Sequence, residues 1–475
     1  MRARVGPGRR RASPSGRLDP FFRPAREGAE DVSMSTVCIR ETDGNLQETI
    51  ARVFEPWGGA SRILGGRDEI LIKVNAVEMK KHCYTPPDLV EALVLYLSSQ
   101  GGRRIYVMDN CTQGNFTRLV FYATGIAQAA RRAGATPVYL DEVPHETMRL
   151  RSPRAQGHED HAERYEQEEV RVPAVVLDKL VRNRSGVFYI DVPKLKTHSM
   201  TVVTLGIKNQ WGYLAQADRI ADHNYLLQRK CVDILEAIKP DFTLIDAREA
   251  TQFGHYPSEA LLDRQLVPYG LLVGGDDVVS VDSVAAGLMG FPWQQVEHIR
   301  LAHERGLGKA DPADIEIIGS PDRYRKHLSW ELFPLFPKDV DVHRGEELCC
   351  KEGCATNVLA CLQVFSLDFR GRGGFSIVMG KGWDPSRLQR LQRRVLVVGR
   401  CAADEIGERI RESRRKDEVA FSYGCNNLRD TITCLLRWMR IPPLRLIPVS
   451  PLRSVKLLAA AKWNGSTALI PPLWL

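Results

Sequence analysis

Short apolar segments alternate with helix-like segments through the first two thirds of the chain. The apolar segments predict strands at 69–75, 104–109, 136–140, 172–177, 187–192, 242–246 and 271–273, and the segments between them predict helices at 86–99, 118–133 and 279–289. Strands and helices that alternate at this spacing form βαβ units, in which neighbouring strands run parallel. The pattern therefore predicts an α/β fold with a mostly parallel, doubly wound sheet domain over residues 34–322.

Prolines at 321, 334 and 337 interrupt this pattern, and a smaller cysteine-containing α/β domain is predicted at 346–445. Its predicted helices are 353–364, 403–414 and 427–439, and its predicted strands are 375–379, 395–398 and 419–422. A polar, charge-rich stretch at 145–168 predicts an exposed insertion. Residues 446–475 are apolar and contain proline, and the pattern assigns them no structure.

The positive charge of the chain is concentrated at its N-terminus. Residues 1–30 carry five of the eight net positive charges, and the rest of the chain is close to neutral. Residues 1–33 lack apolar periodicity, which predicts either a disordered basic tail or a mis-called start that precedes the true start at Met34. Because the remaining chain shows no basic stripe with interleaved aromatic residues, we expect no nucleic-acid partner.

Two further observations bear on location. The sequence contains no run of 18 apolar residues, so neither a membrane span nor a membrane partner is expected. It contains 11 cysteines, an odd number, without a signal peptide, which indicates a reducing compartment. We therefore predict a cytoplasmic protein.

The strand predicted at 187–192 continues past Pro193 into Lys194, Lys196 and His198. Alternate residues of an extended chain share one face, so this segment presents two cations and a titratable ring without an intervening acid. Such a face either lies in solvent or binds an anion. Ligands of open α/β sheets bind at the carboxyl ends of strands, so the position after a buried strand favours an anion held by Lys194 and Lys196, with His198 as acid or base.

Other polar side chains stand near predicted strand ends or follow this segment: Lys73, Asn75, Asp109, Lys208, Asn209 and Asp246. Strand ends of a parallel sheet converge on one rim, where acids serve as general bases or metal ligands. We predict His198, Lys208, Asp246 and Asp109 as catalytic residues. The predicted substrate-binding residues are Lys73, Asn75, Lys194, Lys196 and Asn209. Lys73 has an alternative interpretation as a lysine that reaches out to solvent, and Asp277 is as readily the N-cap of helix 279–289 as part of a site.

Seven of the 11 cysteines follow residue 348. Cys401 and Cys425 follow glycines at predicted strand-to-helix turns, and Cys350 and Cys354 lie at the start of a predicted helix, where the helix dipole favours a thiolate. Four thiolates are a ligand set for an iron–sulfur cluster or for zinc. The alternative is that these cysteines are small buried apolar side chains, an interpretation that suits Cys361 and Cys434.

A collinear set of segments resembles the uncharacterised DUF362 family. These segments are 72–75, 85–92, 194–198, 204–209, 239–246 and 277–282, and they include Lys-x-Lys-x-His followed by Lys-Asn. The resemblance extends over roughly residues 68–320. It implies an association with ferredoxin-like cysteine modules, which many members carry, although this sequence lacks Cys-x-x-Cys-x-x-Cys.

A second similarity is to the nickel-pincer lactate racemases. In that family a histidine precedes by ten residues a lysine that carries a covalent nickel cofactor, and His198 and Lys208 have this spacing. The resemblance implies Lys208 as the attachment point, with His198 or His223 moving a proton. The glycine-rich stretch between the two residues of that family is absent here.

Together these observations predict an iron–sulfur-dependent oxidoreductase that acts on an anionic small molecule and exchanges electrons with a partner protein. Two other classes stay open. One is a racemase or isomerase with a nickel cofactor on Lys208. The other is a non-catalytic, metal-binding assembly factor that uses zinc.

Overall fold

A ten-stranded sheet and a four-stranded sheet carry the fold, with a two-stranded ribbon beside them, in the part of the chain that the structure describes. The computed structural model describes residues 34–150, 169–224 and 226–471. The predicted tail at 1–33 and most of the predicted insertion at 145–168 lie outside these residues.

The strands are β1 Ser35–Glu41, β2 Glu69–Val74, β3 Arg104–Asp109, β4 Thr136–Tyr139, β5 His145–Arg149, β6 Glu169–Pro173, β7 Val187–Val192, β8 Lys194–His198, β9 Val202–Val203, β10 Phe242–Thr251, β11 Leu266–Gly275, β12 Ile315–Ile318, β13 Val340–Arg344, β14 Phe375–Met379, β15 Val395–Val398 and β16 Val419–Ser422. The α-helices are Leu46–Phe54, Ala60–Leu64, Pro87–Ser99, Thr117–Thr124, Ile126–Arg132, Ala174–Leu177, Leu205–Asn209, Gln216–Asp222, Leu227–Ala237, Leu262–Gln265, Val278–Leu288, Glu297–Glu304, Pro321–Tyr324, Thr356–Leu367, Arg400–Glu412, Leu428–Met439 and Pro451–Trp463.

The large sheet has the order β12-β1-β11-β10-β7-β2-β3-β4, with β8 and β9 attached beside β10. Its central pairs β10–β7, β7–β2, β2–β3 and β3–β4 are parallel, whereas β11 runs antiparallel to both β1 and β10. The predicted α/β class with a mostly parallel sheet is therefore confirmed. The antiparallel strand β11 follows β10 without a full crossover helix, a connection that only antiparallel neighbours permit.

Both faces of the large sheet are covered. Alternate residues of β2 enter different cores: Ile70 and Ile72 pack on one side of the sheet and Leu71 on the other. A strand that is buried on both faces has an uninterrupted apolar sequence, which is why the central strands could be recognised as short apolar runs.

The small sheet has the order β13-β14-β15-β16, and all three of its pairings are parallel. Helices Thr356–Leu367 and Leu428–Met439 share one apolar cluster with it, and helix Arg400–Glu412 packs in another. The first strand, β13, lies where the prolines predicted only a boundary. Three of its five residues are charged or histidine, so its sequence offered no apolar run.

Three predicted elements differ from the structure. The strand predicted at 172–177 is the end of β6 followed by helix Ala174–Leu177. The helix predicted at 118–133 is interrupted at Gly125, whose φ of 85° is a left-handed conformation that glycine adopts readily. The unassigned residues after 446 include helix Pro451–Trp463, in which the Arg453 guanidinium lies 5.4 Å from the ring centroid of Tyr122.

The described residues pack as one compact unit that contains both sheets, and the division into domains at 34–322 and 346–445 stays a prediction. No helix within residues 34–150, 169–224 and 226–471 combines the length and the apolar character needed to cross a bilayer.

Candidate functional site

A pocket of about 80 Å³ lies at the carboxyl ends of the central strands. Seven of the nine residues predicted to be catalytic or substrate-binding line this pocket: Lys73, Asn75, Asp109, Lys196, His198, Lys208 and Asn209. They come from the ends of β2 and β3, from β8, and from helix Leu205–Asn209. Their convergence follows from parallel strand order, because the carboxyl ends of β2, β3 and β7 meet at one edge.

The other two predicted residues, Lys194 and Asp246, lie outside the pocket wall. Their side chains are completely buried and form an ion pair of 2.8 Å. Asp246 also accepts a hydrogen bond of 2.8 Å from the Nε of Arg248. Burial opposes ionisation of Asp246, but the charges of Lys194 and Arg248 hold its pKa below the ordinary value. The charge of Lys194 is thus neutralised within the protein.

Lys73 reaches into the pocket but is also paired. Its Nζ donates to Asp109 Oδ1 at 2.7 Å, and both side chains are almost completely buried. Asp109 accepts further hydrogen bonds from the backbone N–H groups of Ala76 and Asn110. Gly212 makes room for the pair, since a Cβ at this residue would lie 3.0 Å from Lys73 Nζ and 3.1 Å from Asp109 Oδ1. The alternative in which Lys73 reaches solvent is therefore wrong.

Lys196 is held by amides and carbonyls. Its Nζ donates to Asn75 Oδ1 at 2.7 Å and to the Cys83 carbonyl at 2.6 Å. Asn75 donates in turn to Asn209 Oδ1, and Asn209 donates to Asp191 Oδ1, each at 2.7 Å. This series of hydrogen bonds orients the ammonium group of Lys196, and two amide side chains stand between that group and the carboxylate of Asp191.

Lys208 and Arg219 carry positive charge into the same pocket without a carboxylate partner among the described residues. The Nζ of Lys208 lies 6.0 Å from the Trp211 ring centroid. Arg219 donates to the Cys111 carbonyl at 2.7 Å, and its buried Nε has no hydrogen-bond partner. Among the residues that the structure describes, the pocket wall thus contains four cationic side chains and a single carboxylate, Asp109.

Burial weakens the cations of this pocket. Loss of solvation lowers the pKa of Lys196 to about 8, and it lowers the pKa of Lys208 to about 8 as well. Burial also lowers the pKa of Arg219. The charged forms are destabilised because no counter-charge replaces the lost water, and a bound anion would supply that counter-charge.

Three histidines line the pocket. The rings of His198 and His255 are stacked, with centroids 4.0 Å apart and planes inclined by 2°. Burial is the main cause that lowers the pKa of His198 and of His255 well below the ordinary value, and neighbouring charged and titratable groups lower it further. Burial also lowers the pKa of His223 to about 3. All three are therefore neutral imidazoles at neutral pH.

The hydrogen bonds of His198 and His223 select opposite tautomers. His198 Nδ1 accepts from the Met200 N–H at 3.2 Å, so its proton resides on Nε2. His223 Nδ1 donates to the Glu352 carbonyl, which leaves Nε2 with a lone pair. His198 is thereby suited to donate a hydrogen bond and His223 to accept a proton.

Helix Leu205–Asn209, which carries Lys208, is held in place by backbone hydrogen bonds to Asp282. Both carboxylate oxygens of Asp282 accept backbone hydrogen bonds of 2.8 Å, one from Gly206 and one from Ile207. A Cβ on Gly206 would lie 2.6 Å from Val278 and about 3 Å from Asp282 and Asp191, so only glycine fits. Asp277 lies directly before helix Val278–Leu288, which carries Asp282. Its side chain accepts a hydrogen bond from the Val279 N–H, so Asp277 is the N-cap of that helix.

The small sheet closes the pocket. Asn357 and Asn426 line it, and the Gln113 amide donates to the Asn426 carbonyl. The N–H groups of Cys425 and Asn426 both donate to the carbonyl of Ile220, at 2.9 Å and 3.1 Å. The turn that carries Cys425 is thus bonded directly to helix Gln216–Asp222, which carries Arg219.

The predicted cysteine ligands occupy the same end of the small sheet. A Cβ on Gly399 would lie 3.4 Å from Cys354 Sγ, and a Cβ on Gly353 would lie 3.2 Å from the Cys425 carbonyl. Burial and the nearby thiols of Cys425 and Cys401 raise the pKa of Cys350 to about 12. Cys349 adds a fifth thiol through its hydrogen bond with Cys354.

Thiols from three chain segments are the donor chemistry that iron–sulfur clusters take, with zinc as the next choice. Within the ranges that the structure describes, no three His, Cys, Asp or Glu side chains converge on one metal-ion position. The assignment of Cys350, Cys354, Cys401 and Cys425 as metal ligands stays a prediction.

The pocket contains residues that the sequence did not reveal: Trp211, Arg219, His255, Tyr256, Asn357 and Asn426. Arg219 lies on a short helix and His255 in a loop after β10, and neither has a strand end or a motif next to it. They reach the pocket through packing between distant segments, which a single sequence does not display. The Trp-Gly pair at 211–212, one residue beyond Lys208-Asn209, was the nearest available indication.

Fold and site together define a two-sheet α/β protein with a buried cationic pocket between the strand ends. Residues 70–287 match the family model described as "Domain of unknown function (DUF362)". The resemblance predicted from the Lys-x-Lys-x-His and Lys-Asn segments is therefore confirmed over these residues.

Two individual proteins are similar to parts of the chain. A thylakoid-associated protein from Synechocystis is 24% identical over 258 residues, which cover 52% of this chain and 70% of that protein. A crystal structure of a protein from Thermotoga maritima aligns with a TM-score of 0.28 at 10% identity, over 55% of this chain and 58% of that one. The chain thus spans less than two thirds of the Thermotoga protein.

Proposed function

We propose that the pocket binds the anionic group of a small molecule and that the protein is an oxidoreductase acting on that molecule. The observation that carries the proposal is the charge of the pocket wall. In the described part of the chain, four cations and one carboxylate line this buried space, and the carboxylate pairs with only one of the cations, Lys73. Uncompensated buried charge is unfavourable, so an anion that enters the pocket gains from every cation.

The roles of the side chains follow from their partners. Lys196, Lys208 and Arg219 hold the anion, because Lys73 and Lys194 already have carboxylate partners. His198 donates a hydrogen bond from Nε2, and His223 accepts a proton at its free nitrogen. A pKa this far below neutrality makes each ring a weak base, and the negative charge of a bound anion would raise that pKa towards the range in which proton transfer is efficient.

The redox part of the proposal rests on the position of the cysteines. Cys425 directly precedes Asn426, which lines the pocket, and Glu352, between Cys350 and Cys354, bonds to His223. An iron–sulfur cluster held by Cys350, Cys354, Cys401 and Cys425 would supply single electrons at this wall. A cytoplasmic location and an electron-transfer protein as partner belong to the same proposal.

Anion binding can be tested with inorganic sulfate, which keeps its charge across the neutral range. We expect titration calorimetry to show binding to the full chain and its loss in Lys196→Met/Lys208→Met. The matched control Lys416→Met removes an exposed lysine and should bind as the wild type does. Unchanged sulfate binding in the double variant would refute the proposed pocket.

The cluster can be tested by elemental analysis of protein purified without oxygen. We expect iron with matching sulfide, about four of each per chain for a cubane. Serine at Cys350, Cys354, Cys401 and Cys425 should abolish both, whereas serine at the buried Cys434 should not. Zinc in place of iron would favour the assembly-factor alternative, and no metal would remove the redox part of the proposal.

One observation favours a second candidate function. Lys208 is buried, its pKa is lowered to about 8 by burial, and it shares the pocket with His198 and His223. A lysine of lowered pKa is a better nucleophile, which suits covalent attachment of a cofactor. A racemase or isomerase of this kind would show a mass adduct that disappears in Lys208→Met, and an unmodified intact mass would count against it.

A further inference from the structure

The cationic pocket is too small for a whole substrate. Its volume of about 80 Å³ accommodates one tetrahedral or planar anionic group. Pockets that bury a complete drug-sized ligand usually enclose about 300–1,000 Å³. The remainder of any molecule held by Lys196 and Lys208 must therefore extend into neighbouring space.

A second cavity of about 560 Å³ lies next to the pocket. Five residues line both spaces: Thr112, Gln113, Tyr256, Asn357 and Leu428. The second cavity, which we call the apolar cleft, lies between the large sheet, the small sheet and helix Pro451–Trp463. These shared residues place the apolar cleft next to a molecule whose anionic group occupies the pocket.

The wall of the apolar cleft is aliphatic and aromatic, with Phe116, Leu119, Phe365, Phe369, Ile432 and Leu458 among its members. Its interior charges already have partners. Lys80 pairs with Asp368 at 2.5 Å, and Glu78 accepts from the Lys80 N–H and from Asn115. The other charged residues of the wall, Lys81, Glu259 and Arg445, are exposed at its opening. The cleft therefore offers apolar surface and few free hydrogen-bonding groups.

We propose that the ligand is an amphiphile, with an anionic head in the cationic pocket and an extended apolar body in the apolar cleft. The inference deepens the proposed function and rests on its anion site. A polar substrate of the same volume would leave this wall unfavourably hydrated, whereas an alkyl, prenyl or aromatic body buries it.

The experiment uses alkyl sulfates of increasing length, so that the head group stays constant while the body grows. Inorganic sulfate and ethyl, butyl, hexyl and octyl sulfate are titrated into the full chain below their micelle concentrations. Burial of each methylene strengthens binding by up to about fourfold, so we expect at least about a hundredfold gain from ethyl to octyl sulfate. The alcohol 1-octanol tests whether the anionic head is required.

Two substitutions that fill the apolar cleft test whether the gain in affinity with alkyl chain length arises there. Ala360→Phe and Ala123→Phe each place a ring in the cleft wall, and each should weaken octyl sulfate at least tenfold while inorganic sulfate binds as before. The control Ala459→Phe adds the same ring at an exposed position outside the cleft and should change neither affinity. Sulfate binding in each variant also reports that the fold is intact.

The outcomes separate this inference from the proposed function. Sulfate binding without a chain-length trend would overturn the amphiphile and leave the anion site standing. Equal affinity for 1-octanol and octyl sulfate, or a trend that survives both filling substitutions, would overturn it too. Failure of every anion to bind would overturn the proposed anion site, and the inference with it.

Discussion

Four of the buried lysines in the described part of the chain differ in what neutralises them. Lys73 and Lys194 form ion pairs with Asp109 and Asp246, whereas Lys196 contacts only amide and carbonyl oxygens. Lys208 has no ion pair among the described residues. The unpaired lysines are the ones whose pKa values fall to about 8, so the same residue type serves structure in one place and binding in another.

The pH dependence of sulfate binding should follow these two lysines. Below pH 8 both ammonium groups are charged and attract the anion, and above it they lose their protons while sulfate keeps its charge. We expect calorimetric affinity to fall steadily from pH 7 to pH 10. Binding in Lys196→Arg/Lys208→Arg should depend less on pH, because arginine stays charged. A flat profile for the wild type would show that Arg219 alone holds the anion.

Removal of one partner from a buried ion pair should destabilise the fold. Asp246→Ala leaves the buried Lys194 ammonium with only the partly exposed carboxylate of Glu249, at 3.6 Å. We expect a loss of about 3 kcal/mol in the free energy of unfolding, the lower end of the range for a broken buried pair. Asp88→Ala is a matched control on the same network, since Asp88 pairs with Arg248 but its side chain is 61% exposed. We expect at most about 1 kcal/mol there. Urea unfolding measures both, and equal losses would contradict the assignment.

The sequence predicted most of the charged side chains that line the pocket. It did not predict which of the lysines are neutralised by an ion pair. Lys194 and Lys196 were recognisable because period-two alternation placed them on one face, and Lys73 was recognisable as a lysine within an apolar strand. Which of them would meet a carboxylate depends on pairing between β8 and β10, which the sequence does not display. Arg219 was not predicted, because its place in the pocket depends on packing between segments that are distant in the sequence.

Among the elements, the five-residue helix Leu205–Asn209 has the largest effect on the site. It carries Lys208 and Asn209, and its first residue, Leu205, has a φ of 48°, a left-handed conformation unfavourable for leucine. Asp282 holds this start in place through two backbone hydrogen bonds. A helix this short has little stability of its own, so its position depends on these contacts.

Gly206→Ala should displace this helix. The added Cβ would lie 2.6 Å from Val278, and we expect a stability loss of about 1–3 kcal/mol together with at least tenfold weaker sulfate binding. Gly287→Ala is the matched control, because a Cβ there meets nothing within 4 Å. It lies inside helix Val278–Leu288 and should gain up to about 1 kcal/mol. Equal sulfate affinity in the two variants would contradict the role of the helix.

The elements themselves were predicted well where burial on both faces gave apolar runs, as for β2, β3, β7, β14 and β15. Prediction failed where a strand is short and polar, as in β13, or where a glycine interrupts a periodic segment, as at Gly125. The pairing of β8 with β10 was also not predicted from the sequence.

For the whole molecule, the pocket exists only where the two sheets meet. Its walls come from the ends of β2 and β3, from β8, from the start of helix Thr356–Leu367, which carries Asn357, and from the turn that carries Asn426. The sequence pattern predicted both sheets and functional residues on each. It predicted these residues as two separate sites, a Lys/His cluster and a cysteine cluster. Their apposition arises from long-range hydrogen bonds such as those to the Ile220 carbonyl.

Ligand binding should therefore slow hydrogen exchange in both sheets at once. With saturating octyl sulfate, or inorganic sulfate if the longer anion fails to bind, we expect protection at 205–223 and at 350–357 and 424–428. Protection follows because a bound anion stabilises the folded state, by about 2.7 kcal/mol at a hundredfold excess over Kd. Protection restricted to the large sheet would contradict a shared pocket, and Lys196→Met/Lys208→Met provides the control without binding.

The Ile220 carbonyl accepts N–H groups from both Cys425 and Asn426, one residue after Arg219 on the same helix. A change in the geometry of the cysteine turn must then shift the guanidinium that faces the anion. If that turn holds a redox group, oxidation state and ligand affinity report one shared free energy. Thermodynamic linkage makes this reciprocal: the ligand that binds more tightly to the reduced protein must raise its reduction potential by the corresponding amount.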